Sequence, residues 1–434
     1  MVKITFLGCC REVGRSAILI ESKNGAQCIL DYGIRFKGEE RLPLNGEIHN
    51  LKAVALSHCH VDHSGGVPFL FKDRDVPFFT NPLTLRVSEI LLEDMIKISN
   101  YPYPFGYREL KKTRKNALFL KNGVRQKIDH EFYLTFFSAG HIPGSVSILV
   151  EVDKKKILYT GDINNQETNL ISPANAQDLP EIDALITEST YSDREHPLRE
   201  ELEKKFIEDT VNIIDNGGSV LVPAFGVARS QEILLVLEKY NYKNDIYIDG
   251  LARKILTEYS EFPESFRDFT RYKSAAKKAQ FVSKEKRKKI GGKSQALIIS
   301  PSGMLKGGAA IDYIPTFLDD PKSAVFLVGY QVEGTPGRKL VDEKIFEFKE
   351  KGKRNYPSRD MFIKAKCKIE YFDFSSHADK AHINDYINKL KFRNNSKFVF
   401  CVHGDEKSTT SFAHNLSKKN YNSVAPEIGE SYIL

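Results

Sequence analysis

The chain has 434 residues, a net charge of +7 and 28% charged residues. That length excludes a single ordinary core and calls for two domains, or one domain with a large insert. No apolar run approaches the ~20 residues of a membrane span, so a bilayer-crossing helix is excluded, and the mild positive charge permits a polyanionic partner without demanding one.

The start, "MVKITFLGCC", lacks the basic head and long apolar stretch of a signal peptide and reads as a strand. Six cysteines (Cys9, Cys10, Cys28, Cys59, Cys367, Cys401) form no C-x-x-C pair, which points to buried free thiols and a reducing compartment. A cytoplasmic protein is the expectation. "KITFLG", "SAILIES" and "QCILDYG" follow as short strands. "LKAVALSH" is a further strand that delivers His58, "SGGVPFLF" turns into a helix, and "EFYLTFFSAGH", "SVSILVEV" and "KKILYTGD" form a second strand series. Near residue 190 the plan changes. "EHPLREELEKKFIEDTVNIIDNGG" reads as a helix with Pro197 in its first turn and Gly217-Gly218 at its end. "SVLVPAFG", "SQEILLVLEKY", "NDIYIDG" and "ARKILTEYSE" then alternate strand and helix, the pattern of a parallel wound sheet. Residues 271 to 293 carry ten Lys or Arg against one acid, Glu285, and read as a solvated face or a phosphate-contacting surface.

The stretch "SHCHVDHSGG" concentrates ligand-type residues. His58 and His60 are two apart at a strand end and project to one face, while Asp62 and His63 follow a turn. Imidazole and carboxylate suit zinc, and four such groups this close suggest half of a two-metal site. Downstream, His141 in "SAGHIPGS", Asp162 in "LYTGD" and His403 in "FVFCVHGD" repeat one grammar of apolar strand, ligand and nearby glycine. Aspartate has two oxygens and can bridge two cations. Cys59 alternates to the opposite face and reads as core.

"HCHVDH", with Asp31 in "LDYG", His141 and Asp162, resembles the metallo-β-lactamase superfamily. The resemblance implies an αββα sandwich. It implies one zinc on His58, His60 and His141, a second on Asp62, His63 and His403, and Asp162 as the bridge. Asp31 would orient a ligand imidazole, and Mn2+ is an alternative metal. Asp162 and His403 lie about 240 residues apart, so a whole domain is inserted between them. Glu188 in "ITESTYSD", His377 in "FDFSSHADK" and His403, with "EVGRS", "PAFGVARSQE", "SPSGM" and "GYQVEGTPGR", resemble the β-CASP branch over essentially the whole chain. Its members include the nuclease subunit of the cleavage and polyadenylation specificity factor, its Integrator counterpart and ribonuclease J. RNA-acting members carry histidine at the position of His403, so the resemblance implies an RNA substrate.

The expected fold class is α/β, an αββα sandwich with an inserted α/β β-CASP domain. Boundaries are expected at residues 1–192 and 372–434 for the sandwich and 193–371 for the insert. The expected activity is zinc-dependent hydrolysis of RNA phosphodiesters, inside the chain and from a 5′ end. Asp62 and Asp31 support the centre, His377 serves as general acid and Glu188 keeps it charged. Backbone turns at Ser302 and Gly404 and the side chains of Arg229 and Arg338 are candidates to hold phosphate, and Phe225 to stack a base. The alternatives are a non-catalytic RNA-binding scaffold and a small ester or thioester hydrolase. With Asp31 already a site residue, a minimal ribonuclease without N-terminal RNA-binding modules is expected. The end "NSVAPEIGESYIL" reads as a strand through which the chain forms a homodimer.

Overall fold

A computed structural model describes all residues except 37, 100, 351–358 and 394–396. The chain divides into two compact units, one of 1–167, 171–195 and 376–434, the other of 168–170 and 196–375.

The first unit holds two seven-stranded sheets. One runs in the order Ser431–Ile433, Lys3–Phe6, Ile18–Glu21, Gln27–Leu30, Leu51–Ala55, Phe78–Thr80, Ala117–Phe119. The other runs Asn422–Val424, Phe398–Val402, Ala184–Glu188, Lys155–Tyr159, Val146–Val152, Phe132–Ser138, Gln126–Lys127. Alternation along the strands explains the layering. Ile18 and Ile20 join Phe136, Ile148, Ile186 and Phe400 in a core between the sheets. Leu19, one position along, faces the other way and packs with Val67, Leu70 and Phe71. On the second sheet Leu158, Leu185 and Val399 pack against Ile383, Ile387 and Phe412 of the helices Lys380–Lys389 and Glu406–Ser417. Both faces of both sheets are covered, which gives four αββα layers. Truncating Phe6, Phe136 or Phe400 to alanine would cost about 3–5 kcal/mol, because each is fully enclosed.

The C-terminal strand Ser431–Ile433 pairs antiparallel with Lys3–Phe6 of its own chain. The segment expected to carry a dimer contact is therefore also part of the sandwich.

The second unit is built on a six-stranded parallel sheet, ordered Ala279–Phe281, Ile246–Ile248, Leu297–Ser300, Val220–Pro223, Ala324–Leu327, Lys368–Tyr371. Its central strands are buried at every position, as strands covered on both faces must be. The helices Arg199–Asp215 and Arg229–Lys239 flank it, and an antiparallel hairpin joins Ile345–Glu350 to Arg359–Lys364. The basic segment after Arg271 is split between the helix Phe269–Lys278, the edge strand Ala279–Phe281 and two short helical turns. Among its cations Lys278 pairs with Glu238, Arg287 with Asp249 and Asp312, and Lys293 with Asp245. No helix among the described residues is long and apolar enough to cross a membrane.

Candidate metal centre and active site

Strand direction brings the ligand-type residues together. Lys155–Tyr159, Ala184–Glu188 and Phe398–Val402 run parallel, and Phe132–Ser138 shares their direction through its antiparallel neighbour. His141, Asp162, Glu188 and His403 therefore all emerge at one end of their sheet. On the facing sheet Leu51–Ala55 runs parallel to Gln27–Leu30, so Asp31 and His58 follow adjacent strand ends. The short helix Val61–Ser64 then turns Asp62 and His63 into the same space. Its exposed carbonyls are capped from outside: Ile34 N donates to Val61 O (3.0 Å), Ser16 N to Asp62 O (2.8 Å) and Tyr32 N to His63 O (2.9 Å). Gly33 makes that approach feasible, since a Cβ there would lie 1.7 Å from Asp62 O.

The side chains form two clusters around Asp162. On one side its Oδ2 lies 3.4 Å from His58 Nε2 and 3.6 Å from His141 Nε2, and His60 Nδ1 lies 3.1 and 3.2 Å from the same two nitrogens. On the other side its Oδ1 lies 3.2 Å from His63 Nε2 and 3.5 Å from His403 Nε2, and the latter is 3.6 Å from Asp62 Oδ2. Ligands about 2.0–2.2 Å from a tetrahedral ion are roughly 3.3–3.6 Å apart, so these separations fit two cations sharing Asp162. The donor chemistry fits as well. Burial pushes His58 and His141 well below the usual imidazole range, with neighbouring rings adding to it, and lowers His60 to about 4, so these rings present lone pairs. Asp162 Oδ1 is buried without a hydrogen-bond donor among the described residues.

Hydrogen bonds on the far side of the rings set which nitrogen faces inward. Asp31 accepts from His63 Nδ1 (2.7 Å), and also from Ser57 N (2.7 Å), Ser57 Oγ (2.7 Å) and Tyr159 Oη (2.8 Å). Ser376 O accepts from His141 Nδ1 at 2.8 Å, and Ser16 Oγ lies 3.0 Å from His403 Nδ1. Such partners fix tautomer and orientation. Asp31 and His403 both hold left-handed backbone, φ 56° and 50°, a conformation that costs non-glycine residues roughly 1 kcal/mol or more and gathers at functional sites.

Beside the clusters, His377 Nδ1 lies 2.9 and 3.0 Å from the two oxygens of Glu188, which also accepts from Ile163 N at 2.6 Å. Burial opposes charge on His377, but the Glu188 carboxylate outweighs it and raises the ring to about 9. Dications in the clusters would pull that value down. A third grouping, Asp162 with Glu188 and His377, also brings ligand atoms together. There the imidazole and carboxylate already satisfy each other.

Of the other expected residues, Gly404 is in the first unit and Phe225, Arg229, Ser302 and Arg338 are in the second. Gly404 follows His403, and a Cβ on it would lie 2.6 Å from Ser189 Oγ. Within the second unit, Phe225, Ser302 and Arg338 follow the strands Val220–Pro223, Leu297–Ser300 and Ala324–Leu327 beyond their C-terminal ends, where wound sheets bind ligands. Ser302 Oγ donates to Gly307 O (3.2 Å) and accepts from Lys306 N (3.1 Å). Arg338 is exposed and pairs with Asp342 at 2.6 Å. Arg229 is buried at the start of its helix, where its charge helps hold Glu232 and Asp373 ionised. Sequence reasoning missed Ser16, Tyr159 and Ser376. All three stand in quoted stretches, but only long-range pairing brings them behind the ligand-type residues.

Comparison with known proteins shows the family. Residues 11–204 match the metallo-β-lactamase superfamily, residues 230–340 the Beta-Casp domain, and residues 363–426 the Zn-dependent metallo-hydrolase RNA specificity domain. RNase aCSPSF2 of Saccharolobus solfataricus is 34% identical over 99% of this chain and 85% of its own. The chain belongs to the β-CASP branch of the metallo-β-lactamase superfamily. Probable RNase MJ4 of Methanocaldococcus jannaschii is 34% identical over 99% of both proteins. Transcription termination factor FttA of Pyrococcus horikoshii is 33% identical over 96% of this chain and 68% of its own. A crystal structure of a protein of unknown function from Enterococcus faecalis V583 shares the fold, with a TM-score of 0.65 and 15% identity over 100% of both chains.

Proposed function

We propose that this β-CASP protein is a metal-dependent ribonuclease that hydrolyses RNA phosphodiesters with two zinc ions per chain. The observation that carries the reading is Asp162, whose two oxygens face two separate clusters of imidazole and carboxylate. His58, His60 and His141 would hold one ion, and Asp62, His63 and His403 the other. Bound there, two cations would withdraw charge from the phosphate and lower the pKa of water. The chain's own residues supply the rest. Asp31 holds His63 with Nε2 directed inward. Glu188 keeps His377 charged and oriented through Nδ1, so Nε2 carries the proton for the departing 3′ oxygen. His377 keeps 19% of its side chain exposed while Glu188 is buried, as suits an acid facing substrate and its support.

The relatives' names, RNase and RNase J-like protein, support RNA as substrate. Arg338, Ser302, Phe225 and Arg229 on the insert, and Gly404 after His403, are assigned to substrate binding. The six cysteines are buried and free, which supports a cytoplasmic setting. The strand Ser431–Ile433 is outermost in its sheet and is the proposed homodimer edge.

The test is cleavage of RNA labelled at either end, with matching DNA as control, by zinc-loaded wild type and His377→Ala. Loss of the acid should lower kcat by about 10²–10⁴ while metal content stays at two. Internal fragments mark an endonuclease, and nucleotides released only from a 5′-monophosphate end mark a 5′→3′ exonuclease. Metal-loaded wild type that leaves RNA intact would overturn the reading.

A further inference from the structure

We propose that the outward face of the helix Tyr107–Lys115, with the edge strand Ala117–Phe119 that follows it, is a docking surface for single-stranded RNA remote from the metal centre. The choice of RNA as occupant rests on the ribonuclease reading above.

The helix is amphipathic in an unusual sense. Leu110 and Thr113 are buried. At 100° per residue, Arg108, Lys111, Lys112 and Lys115 fall at positions i, i+3, i+4 and i+7 and occupy an arc of about 100° directly opposite that buried pair. Tyr107 joins these four cations to line a shallow concavity of about 440 Å³. Glu109 is the helix's acid, and its carboxylate accepts from the N-cap amide Gly106 N at 2.9 Å. It lies 3.9 Å from Arg108, and Arg114 on the flank reaches Glu89 at 3.5 Å. Lys111, Lys112 and Lys115 take part in no ion pair among the described residues. Lys112 Nζ donates to Lys72 O at 3.3 Å.

Helix stability does not account for this pattern. The macrodipole favours Lys112, Arg114 and Lys115 in the last turn, but not Arg108 or Lys111. The like-charged pairs Arg108 with Lys112 and Lys111 with Lys115, four residues apart, each cost a few tenths of a kcal/mol. A polyanion laid along the arc reverses that cost, and counterion release adds affinity.

The neighbouring strand supplies the other half of a single-strand site. Ala117–Phe119 pairs on one side with Phe78–Thr80 and is last in its sheet. Leu118 is 48% exposed, Phe119 54% and Tyr107 51%. Aromatic faces beside a row of cations are what unpaired bases stack upon. A peptide strand added to this edge would leave the cations without partners, so the charge favours RNA. The buried side of the helix packs through Leu110 with Ile34, Leu92 and Phe105, and against Val61, which stands between His60 and Asp62. The basic face is thus about one helix diameter, ~10–12 Å, outside the wall of the metal centre. RNA held there is anchored without touching the reacting phosphate.

The test uses full-length, zinc-loaded protein with Arg108→Gln, Lys111→Gln, Lys112→Gln and Lys115→Gln combined. The pair Lys111→Glu with Lys115→Glu serves as a second variant should the first fail to fold. Binding of a single-stranded RNA of roughly 30 nucleotides is measured against salt concentration. Losing four contacts should flatten the slope of log K on log salt by about 2–3, and losing two by about 1.4. The KM for cleaving that RNA should rise about tenfold or more, while kcat/KM for a short oligonucleotide of about five residues stays unchanged. An unchanged salt slope would overturn the proposal, and so would an equal loss on the short substrate. Loss of binding to phosphatidylserine vesicles with RNA binding intact would assign the surface to a membrane and equally overturn it. Wild type that binds RNA with the steeper slope yet cleaves neither substrate would uphold the surface and sink the ribonuclease reading.

Discussion

In the insert, the buried carboxylates of Glu203 and Glu232 are ringed by cations and donors. Arg199 reaches both, Lys239 Nζ lies 2.7 Å from Glu203, and Asn169 Nδ2 donates to Glu203 at 2.6 Å and to Glu232 at 3.0 Å. In the sandwich, the buried carboxylate of Asp162 is ringed by imidazoles, four of them within 3.6 Å, and no lysine or arginine among the described residues is a close partner. Both regions take charge out of water. The first neutralises it with side chains of opposite sign, although Glu232 Oε2 has no hydrogen-bond partner among the described residues. The second sets one carboxylate against imidazoles, of which burial holds His58, His60 and His141 neutral while Asp162 and Asp31 outweigh burial and raise His63, and this donor set suits metal cations. Burial of ionisable groups therefore does not mark a metal centre by itself; the sign of what surrounds them does.

That contrast can be broken most severely at Asp162. On the two-ion proposal, Asp162→Ala should lower RNA cleavage by more than the ~10⁴-fold at the upper end for losing a general acid, because both clusters would lose a shared ligand. A single-turnover assay with end-labelled RNA checks this, and a loss below tenfold would mean that the carboxylate is not shared.

The matching change in the insert should act on stability instead. Glu232→Ala leaves Arg199 without one of its two carboxylates. It should cost about 3 kcal/mol in urea unfolding, the low end for a broken buried pair, since Arg199 keeps 20% of its side chain exposed. Zinc binding should be untouched. The sign with pH follows from Glu232 itself. Burial opposes its charge, yet Arg199 and Asn169 hold its pKa below the usual value. Its stabilisation is present above the unfolded value near ~4.3 and fades as pH falls through the lower folded value. Glu232→Gln should therefore be less stable than wild type at pH 7 and lose less on acidification. A variant with the same acid sensitivity as wild type would place that titration elsewhere.

The smallest effect is expected at Asp31. Asp31→Asn keeps shape and most hydrogen bonds but no longer secures the proton on His63 Nδ1. Zinc affinity should fall about 10–100-fold, read by competition with a chromogenic chelator. Unchanged affinity would reduce Asp31 to a packing role.

Much of the fold was legible because the relevant signals are local. The strands that precede His58, His141, Asp162 and His403 are apolar runs with a glycine close behind, and the helices after residue 198 show plain 3.6-residue spacing. The four-layer sandwich and the parallel insert follow from those runs and from the family resemblance. Less legible was everything that depends on which strands meet. Tyr159 reaches Asp31 from a different sheet, and Ser376 meets His141 across 235 positions of sequence. The tail expected as a dimer contact pairs with the chain's own first strand, a non-local pairing that no short window encodes. Nothing in the local sequence singles out Glu203 and Glu232, and only packing reveals them as a buried ion cluster. Arg229, a candidate to hold phosphate, is buried at a helix start, and its sequence context does not announce that burial. The basic arc on Tyr107–Lys115 was overlooked because a nine-residue helix rich in lysine resembles any solvated surface until its buried side is known.

The central claim is a two-metal centre bridged by Asp162, and the direct measurement is the number of zinc ions retained per chain. Wild-type protein stripped with chelator, reloaded with excess zinc and dialysed should hold two ions by mass spectrometry of the metal. Asp162→Ala should hold fewer under the same treatment. A wild-type value of one or none, or two ions held equally well without Asp162, would contradict the account.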